Sequence, residues 1–149
     1  DKYSLSYPKD WSIVKKDDVL IGNPKNSEIE FISMSKEVEY GFSNNMLILS
    51  QDLNKKLTSQ EFSIINNVGS TKNYLNYKKL DTKTIEFLDK NTSELYIFEA
   101  KYNSKTPIFK YLQIGKVCGM KGYLLTIAIS QDIKQINEYE DLVKTFSCK

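Results

Sequence analysis

Apolar and polar residues alternate with a period of two along most of this chain, and a helical period replaces the alternation in only two places. Tyr3–Tyr7 alternates as a half-buried strand does, and Pro8 ends it. After a Lys9-Asp10 corner Trp11–Val14 continues extended, with Trp11 placed to plug the edge of a core. Lys15–Asp18 reads as a charged turn and Val19–Ile21 as a short strand, stopped by Gly22–Ser27. Glu28–Ser35 is the next strand, with Ile29 and Phe31 on one face and Ile32 and Met34 on the other. Lys36–Asn45 lacks periodicity and reads as a loop. Met46–Ser50 is apolar on both faces, the mark of a central strand covered on both sides.

The first helical stretch opens on Thr58-Ser59-Gln60-Glu61, which matches a capping box, with Leu57 and Phe62 spaced as a hydrophobic staple. Phe62, Ile65 and Val68 form its apolar stripe. Gly69 either ends this helix or only weakens it, since the polar tail to Asn73 can continue. Tyr74–Leu80 returns to the sheet. Thr82–Leu88, Glu94–Tyr102, Ile108–Cys118 and Tyr123–Ser130 then follow as strands, separated by Asp89–Ser93, Asn103–Pro107 and Gly119–Gly122. This is the pattern of an antiparallel meander. The second helical stretch runs from Ile133 to Phe146, with Asp132 as its N-cap and Gln135 three residues on. Ile133, Ile136, Tyr139, Val143 and Phe146 share one face, while Lys134, Asn137, Glu138, Asp141 and Lys144 face water.

Strands, a helix, more strands and a closing helix make an α+β fold: a mostly antiparallel sheet flanked by helices. At 149 residues this is a single domain, 1–149. No apolar run approaches the roughly 18–20 residues of a membrane-spanning helix. The chain opens at Asp1 rather than Met, which fits a trimmed or mature product; any export signal would lie upstream.

Charge narrows the partners. The formal net charge is +2, and every cation is a lysine, since the chain has neither Arg nor His. Arg is the preferred fork for phosphate and guanine, and the lysines are interspersed with acids rather than striped, so no nucleic-acid partner is expected. Without His, the triad, Cys-His and His-ligated metal chemistries are excluded. No phosphate-binding glycine loop or nucleophile elbow occurs; Gly115, Gly119 and Gly122 read as a strand kink and a turn. The acid pairs Glu28 and Glu30, Glu37 and Glu39, and Glu138, Glu140 and Asp141 show no sign of converging on a pocket. No catalytic residue, metal ligand or cofactor is therefore expected. Tyrosines are abundant, among them Tyr74, Tyr77, Tyr96, Tyr102, Tyr111, Tyr123 and Tyr139. They suit both a binding surface and the seams between sheet and helix.

Cys118 and Cys148 are the only cysteines, with no CxxC and no zinc-like spacing. The strand after Cys118 travels about 27 Å and the closing helix returns about 21 Å. Cys148 can therefore come back beside Cys118. A disulfide and two reduced thiols both remain open at this point.

The opening Tyr3-Ser4-Leu5-Ser6-Tyr7-Pro8-Lys9-Asp10-Trp11 resembles the start of PsbP-like domains, an aromatic strand, a Tyr-Pro corner and a Trp shortly after. Asn45–Ser50, the helix introduced by Leu57-Thr58-Ser59, the long meander and the terminal Val143-Lys144-Thr145-Phe146 follow the same family in order. The resemblance is to a bacterial-type member of the superfamily that includes PsbP, DcrB-like lipoproteins and Ran-binding relatives. It implies an α/β/α sandwich and a non-enzymatic role through protein contacts, often outside the cytoplasm on a lipid anchor. The metal-binding histidines of the photosynthetic proteins have no counterpart here, and Tyr7, Pro8, Trp11 and Phe146 read as structural. The expectation is a non-catalytic, extracytoplasmic binding or accessory domain, the soluble part of an exported lipoprotein. It would have an unidentified protein partner and touch the membrane only through an N-terminal lipid anchor. The alternative is an intracellular adaptor or chaperone of the same fold. Bridged cysteines favour the first and free thiols the second.

Overall fold

The computed structural model describes residues 2–18, 24, 26–38 and 42–149. In chain order the elements are β1 (Tyr3–Ser4), β2 (Ser12–Ile13), a 3-10 turn (Lys16–Asp18), β3 (Glu28–Met34), β4 (Asn45–Asp52) and α1 (Ser59–Asn73). There follow β5 (Leu75–Glu86), β6 (Thr92–Lys101), β7 (Ile108–Cys118), β8 (Lys121–Ser130), α2 (Asn137–Lys144) and β9 (Ser147–Cys148). Seven strands form one sheet in the order β2-β3-β4-β8-β7-β6-β5, every neighbour antiparallel. β1 and β9 form a separate two-stranded ribbon. The expected Val19–Ile21 strand, with Gly22, Asn23, Lys25 and the loop residues Glu39, Tyr40 and Gly41, lies outside the described residues.

Alternation along β7 divides the molecule into two layers. Leu112, Ile114 and Cys118 point into the larger core with Leu95, Ile97, Tyr123, Leu125 and Ile127 from the neighbouring strands. That core is closed by Trp11, Val143 and Phe146, with Tyr3, Ile133, Ile136, Tyr139 and Leu142 packed against it. The opposite face carries Phe98, Ala100, Phe109, Tyr111 and Ala128, with Tyr74, Tyr77 and Tyr96 beside them. α1 lies over β6, β7 and the near side of β8 on this second face. The result is an α/β/α sandwich.

The start of α1 is the capping box expected. The Thr58 hydroxyl accepts from the Glu61 amide at 3.0 Å, and the Glu61 carboxylate accepts from the Thr58 amide at 2.8 Å. Gly69 does not end the helix, which continues to Asn73. Its buried face differs from the expected stripe: Phe62 is buried, but Ile65 and Val68 are 55% and 50% exposed. The helix instead sits on Ser59, Phe62, Ser63 and Ser70. The Ser63 hydroxyl donates to the Glu94 carbonyl at 2.5 Å and accepts from the Gly115 amide at 3.0 Å. The Ser59 hydroxyl accepts from the Val117 amide at 2.9 Å, and Ser70 donates to Gln113 at 2.6 Å. Small hydroxylated residues let the helix come close enough to bond the strands, which a row of branched side chains would prevent. Gly115 completes this approach, because a Cβ there would stand 2.7 Å from the Ser63 nitrogen.

Three other expectations are corrected. A bulge between Ile29 and Phe31 reverses the pleat, so these residues occupy opposite faces: Ile29 lies opposite Leu49 and Phe31 opposite Ile48. β4 is central but covered fully on one side only; Met46 and Ile48 are buried, whereas Leu47 and Leu49 are half-buried. The closing helix begins at Asn137, and Asp132 caps nothing. Ile133 turns back on Ser130 through a 3.1 Å backbone bond, and its carbonyl accepts from the Lys110 ammonium at 2.5 Å. That carbonyl is held by Lys110, and residues 133–136 reach the core as irregular chain.

Candidate functional site

The described carboxylates do not assemble into a site. Glu30 is occupied structurally, accepting from the Ser50 hydroxyl at 2.5 Å and lying 3.6 Å from the Lys121 ammonium. Glu28 is exposed on the same strand, Glu37 is exposed in the β3–β4 connection, and Glu39 is outside the described residues. Of the helical acids, Glu138 and Asp141 face water. Glu140 is buried and pairs with Lys83 at 2.6 Å, tying α2 to β5. Among the described residues no cluster of three or more acids or cysteines has metal-holding geometry.

The tyrosines mostly fill the seam beyond the end of α1. Tyr74 meets Tyr111 with ring centroids 4.9 Å apart, and Phe98 stacks on Tyr111 at 5.1 Å. Burial pushes the Tyr74 hydroxyl up to about 12, and Tyr111 higher still, so neither ionises at physiological pH. Tyr3 and Tyr123 pack with Phe146 in the larger core.

Cys118 and Cys148 form a disulfide, with their Cα atoms 5.6 Å apart. Beside it sits an ion pair that the sequence reading missed. Lys116 is fully buried, its ammonium 2.7 Å from both Asp89 oxygens and 4.1 Å from the centre of the Phe87 ring. Asp89 also accepts from the Cys148 amide at 3.1 Å, which fastens the last strand to the β5–β6 turn. Burial holds the Lys116 ammonium below its usual range despite Asp89. For Asp89 burial works upward, but the bonds from Lys116, Cys148 and Asn91 outweigh it and hold the carboxyl below the usual range. A signal was present in the chain: Leu112, Ile114, Lys116 and Cys118 share one face, and a lysine in that row requires a buried partner.

Among the described residues, no element covers the β3–β4 half of the α1 face. Ile32, Leu47, Leu49 and Leu124 share that face through their cross-strand pairings and are only half-buried. α1 turns its Gln60, Ser63 and Asn67 side toward β6 and β5, where they bond Glu94 and Tyr77. By helical geometry its Ile65 and Gly69 side therefore leans toward β8 and β4. That flank is open, since a Cβ on Gly69 would meet nothing within 4 Å. The outcome is an apolar trough, floored by the four strand residues and walled by Ile65. Two polar clefts lie elsewhere, at opposite ends of the sheet. One of about 440 Å³ is lined by Glu37, Asn44, Phe109 and Asp132, and one of about 460 Å³ by Glu28, Ser50, Asp52 and Lys121.

A solved structure aligns with this arrangement over 99% of the chain: the solution structure of cyanobacterial PsbP (CyanoP) from Synechocystis sp. PCC 6803, with a TM-score of 0.63 and 14% identity. The fold is PsbP-like. The match covers 86% of the CyanoP chain. A crystal structure from Bacteroides thetaiotaomicron VPI-5482 aligns over 99% of this chain with a TM-score of 0.54 and 10% identity. The present chain spans 45% of that protein's length. No family model matches the sequence, and no curated protein matches it significantly. The likeness to PsbP is thus one of fold, at 14% identity.

Proposed function

We propose that the chain is a non-catalytic, extracytoplasmic binding or accessory domain, the soluble part of an exported lipoprotein, acting through protein contacts. The observation that carries this reading is the apolar trough beside α1. A helix that buries serines and leaves Ile65 exposed on the flank beside half-covered strand leucines is arranged for a partner's apolar segment. The Cys118–Cys148 bridge supports the compartment, because such bridges persist where the surroundings are oxidising. Two measurements test it. Alkylation of the native protein before and after reduction should find both thiols blocked; free thiols would overturn the placement. A photo-crosslinking residue at position 65 should give a discrete protein adduct in the source cell, and one at the solvent-facing position 134 should not. Equal labelling at both would remove the trough as a contact surface.

A further inference from the structure

The β5–β6 turn, the β7–β8 turn, the β4–α1 connection, Lys2 and Lys149 lie together at one end of the sheet. Asp52 faces Lys121 across the strands, and the Leu53 amide donates to the Met120 carbonyl at 2.8 Å. Asp89 holds the Cys148 amide, and the Lys149 amide donates to the Lys2 carbonyl at 2.8 Å. Two apolar side chains project from the turns, Leu88 at 69% and Met120 at 46% exposure. Their hairpins are neighbours in the sheet, so the tips stand about 10 Å apart, two strand spacings.

Among the described residues, lysines outnumber the acids around these tips once pairs are removed, with Asp52 and Glu28 remaining on the β4 and β3 side. Lys90 is paired with Glu86, Lys116 with Asp89, Lys144 with Asp141, and Lys121 with Glu30 while also lying in the field of Asp52. Glu61 is engaged by the Thr58 amide, while Glu28 lines a cleft with Asp52 and Lys121 at this same end. Lys2, Lys55, Lys56 and Lys149 are exposed and have no acidic partner among the described residues. Apolar tips flanked by unpaired lysines match the chemistry of an anionic bilayer surface: a negative plane over an apolar boundary. An acidic protein would satisfy the lysines but offers nothing particular to two isolated tips.

We propose that this end of the domain docks on an anionic lipid bilayer, with Leu88 and Met120 entering the headgroup boundary and Lys2, Lys55, Lys56 and Lys149 lying over lipid phosphates. The inference goes beyond the binding role above and needs no lipid anchor.

The test is co-sedimentation of the unlipidated 149-residue chain with vesicles of phosphatidylcholine alone or mixed with phosphatidylglycerol, at low and physiological salt. Binding is expected to the mixed vesicles only, and to weaken as salt screens the charges. Lys55→Gln/Lys56→Gln should lower the partition roughly 30-fold, a factor of about five per lysine. Leu88→Ser/Met120→Ser should also lower it, while Lys78→Gln/Lys79→Gln on the β5 edge should leave it unchanged. No binding to the mixed vesicles at low salt, equal binding to neutral vesicles, or equal loss from the β5 variant overturns the proposal. Circular dichroism confirms that each variant is folded. Because the trough is tested at position 65, failure here and failure there are separate results.

Discussion

Lys116 and Asp89 show at the residue scale why a substitution's cost depends on which partner is left behind. Lys116 is fully buried and Asp89 lies at the margin, so Asp89→Asn strands a buried ammonium while Lys116→Met strands a carboxylate that keeps two backbone donors. Asp89→Asn is expected to destabilise by about 3 kcal/mol and Lys116→Met by clearly less, read from urea midpoints. The pair is also pH-dependent. Asp89 is held below its usual range, so its contribution is complete above the unfolded value of about 4 and fades as pH falls through the folded one. The midpoints of wild type and Asp89→Asn should therefore converge on acidification below about pH 4. A gap that stays constant would mean the charge is not what stabilises. Gly115 is governed by contact instead. Its Cβ would strike the Ser63 backbone, which cannot rotate away, so Gly115→Ala should cost about 1–3 kcal/mol.

At the scale of elements α1 is informative because its two flanks respond oppositely. Gly69 faces open space within a helix that continues past it, so Gly69→Ala should stabilise by about 0.5–1 kcal/mol and raise the melting temperature. A loss of stability would show that the flank is occupied. Thr58→Ala removes the hydroxyl half of the capping box and should cost about 1 kcal/mol in the same measurement. Where α1 starts was legible, since capping is a contact between residues three apart. Which face it buries was not. Apolar periodicity selects Phe62, Ile65 and Val68, but the sheet selects Ser59, Ser63 and Ser70, which bond strands 31 to 58 residues away along the chain. α2 is the converse case. Its apolar face reached the core as read, while its first turn was lost to Lys110, a residue on another strand.

For the whole molecule the Cys118–Cys148 bridge closes a loop of 30 residues and fixes the ribbon of β1 and β9 against the sheet. Replacing both cysteines by alanine should lower stability by about 3–4 kcal/mol in the chain-entropy account. Amide exchange at Ser4 and Ser147 should accelerate more than in β7. Uniform acceleration across the sheet would show that the ribbon is not held by the bridge. The same construction separates two surfaces, the trough beside α1 and the lysine-flanked end. A partner on one leaves the other accessible.

The sequence by itself determined the α+β class, the meander, both helices and the face α2 buries, because alternation, capping and turn chemistry act between residues close in the chain. It also left Cys148 free to reach Cys118 without deciding that they bond. Only the tertiary structure decided that bond, the burial of Lys116 on Asp89, the reversal of the pleat at Ile29 and Phe31, and the apolar side that α1 leaves open. Each of these depends on which distant strands become neighbours, a property of the packed sheet that no local pattern encodes.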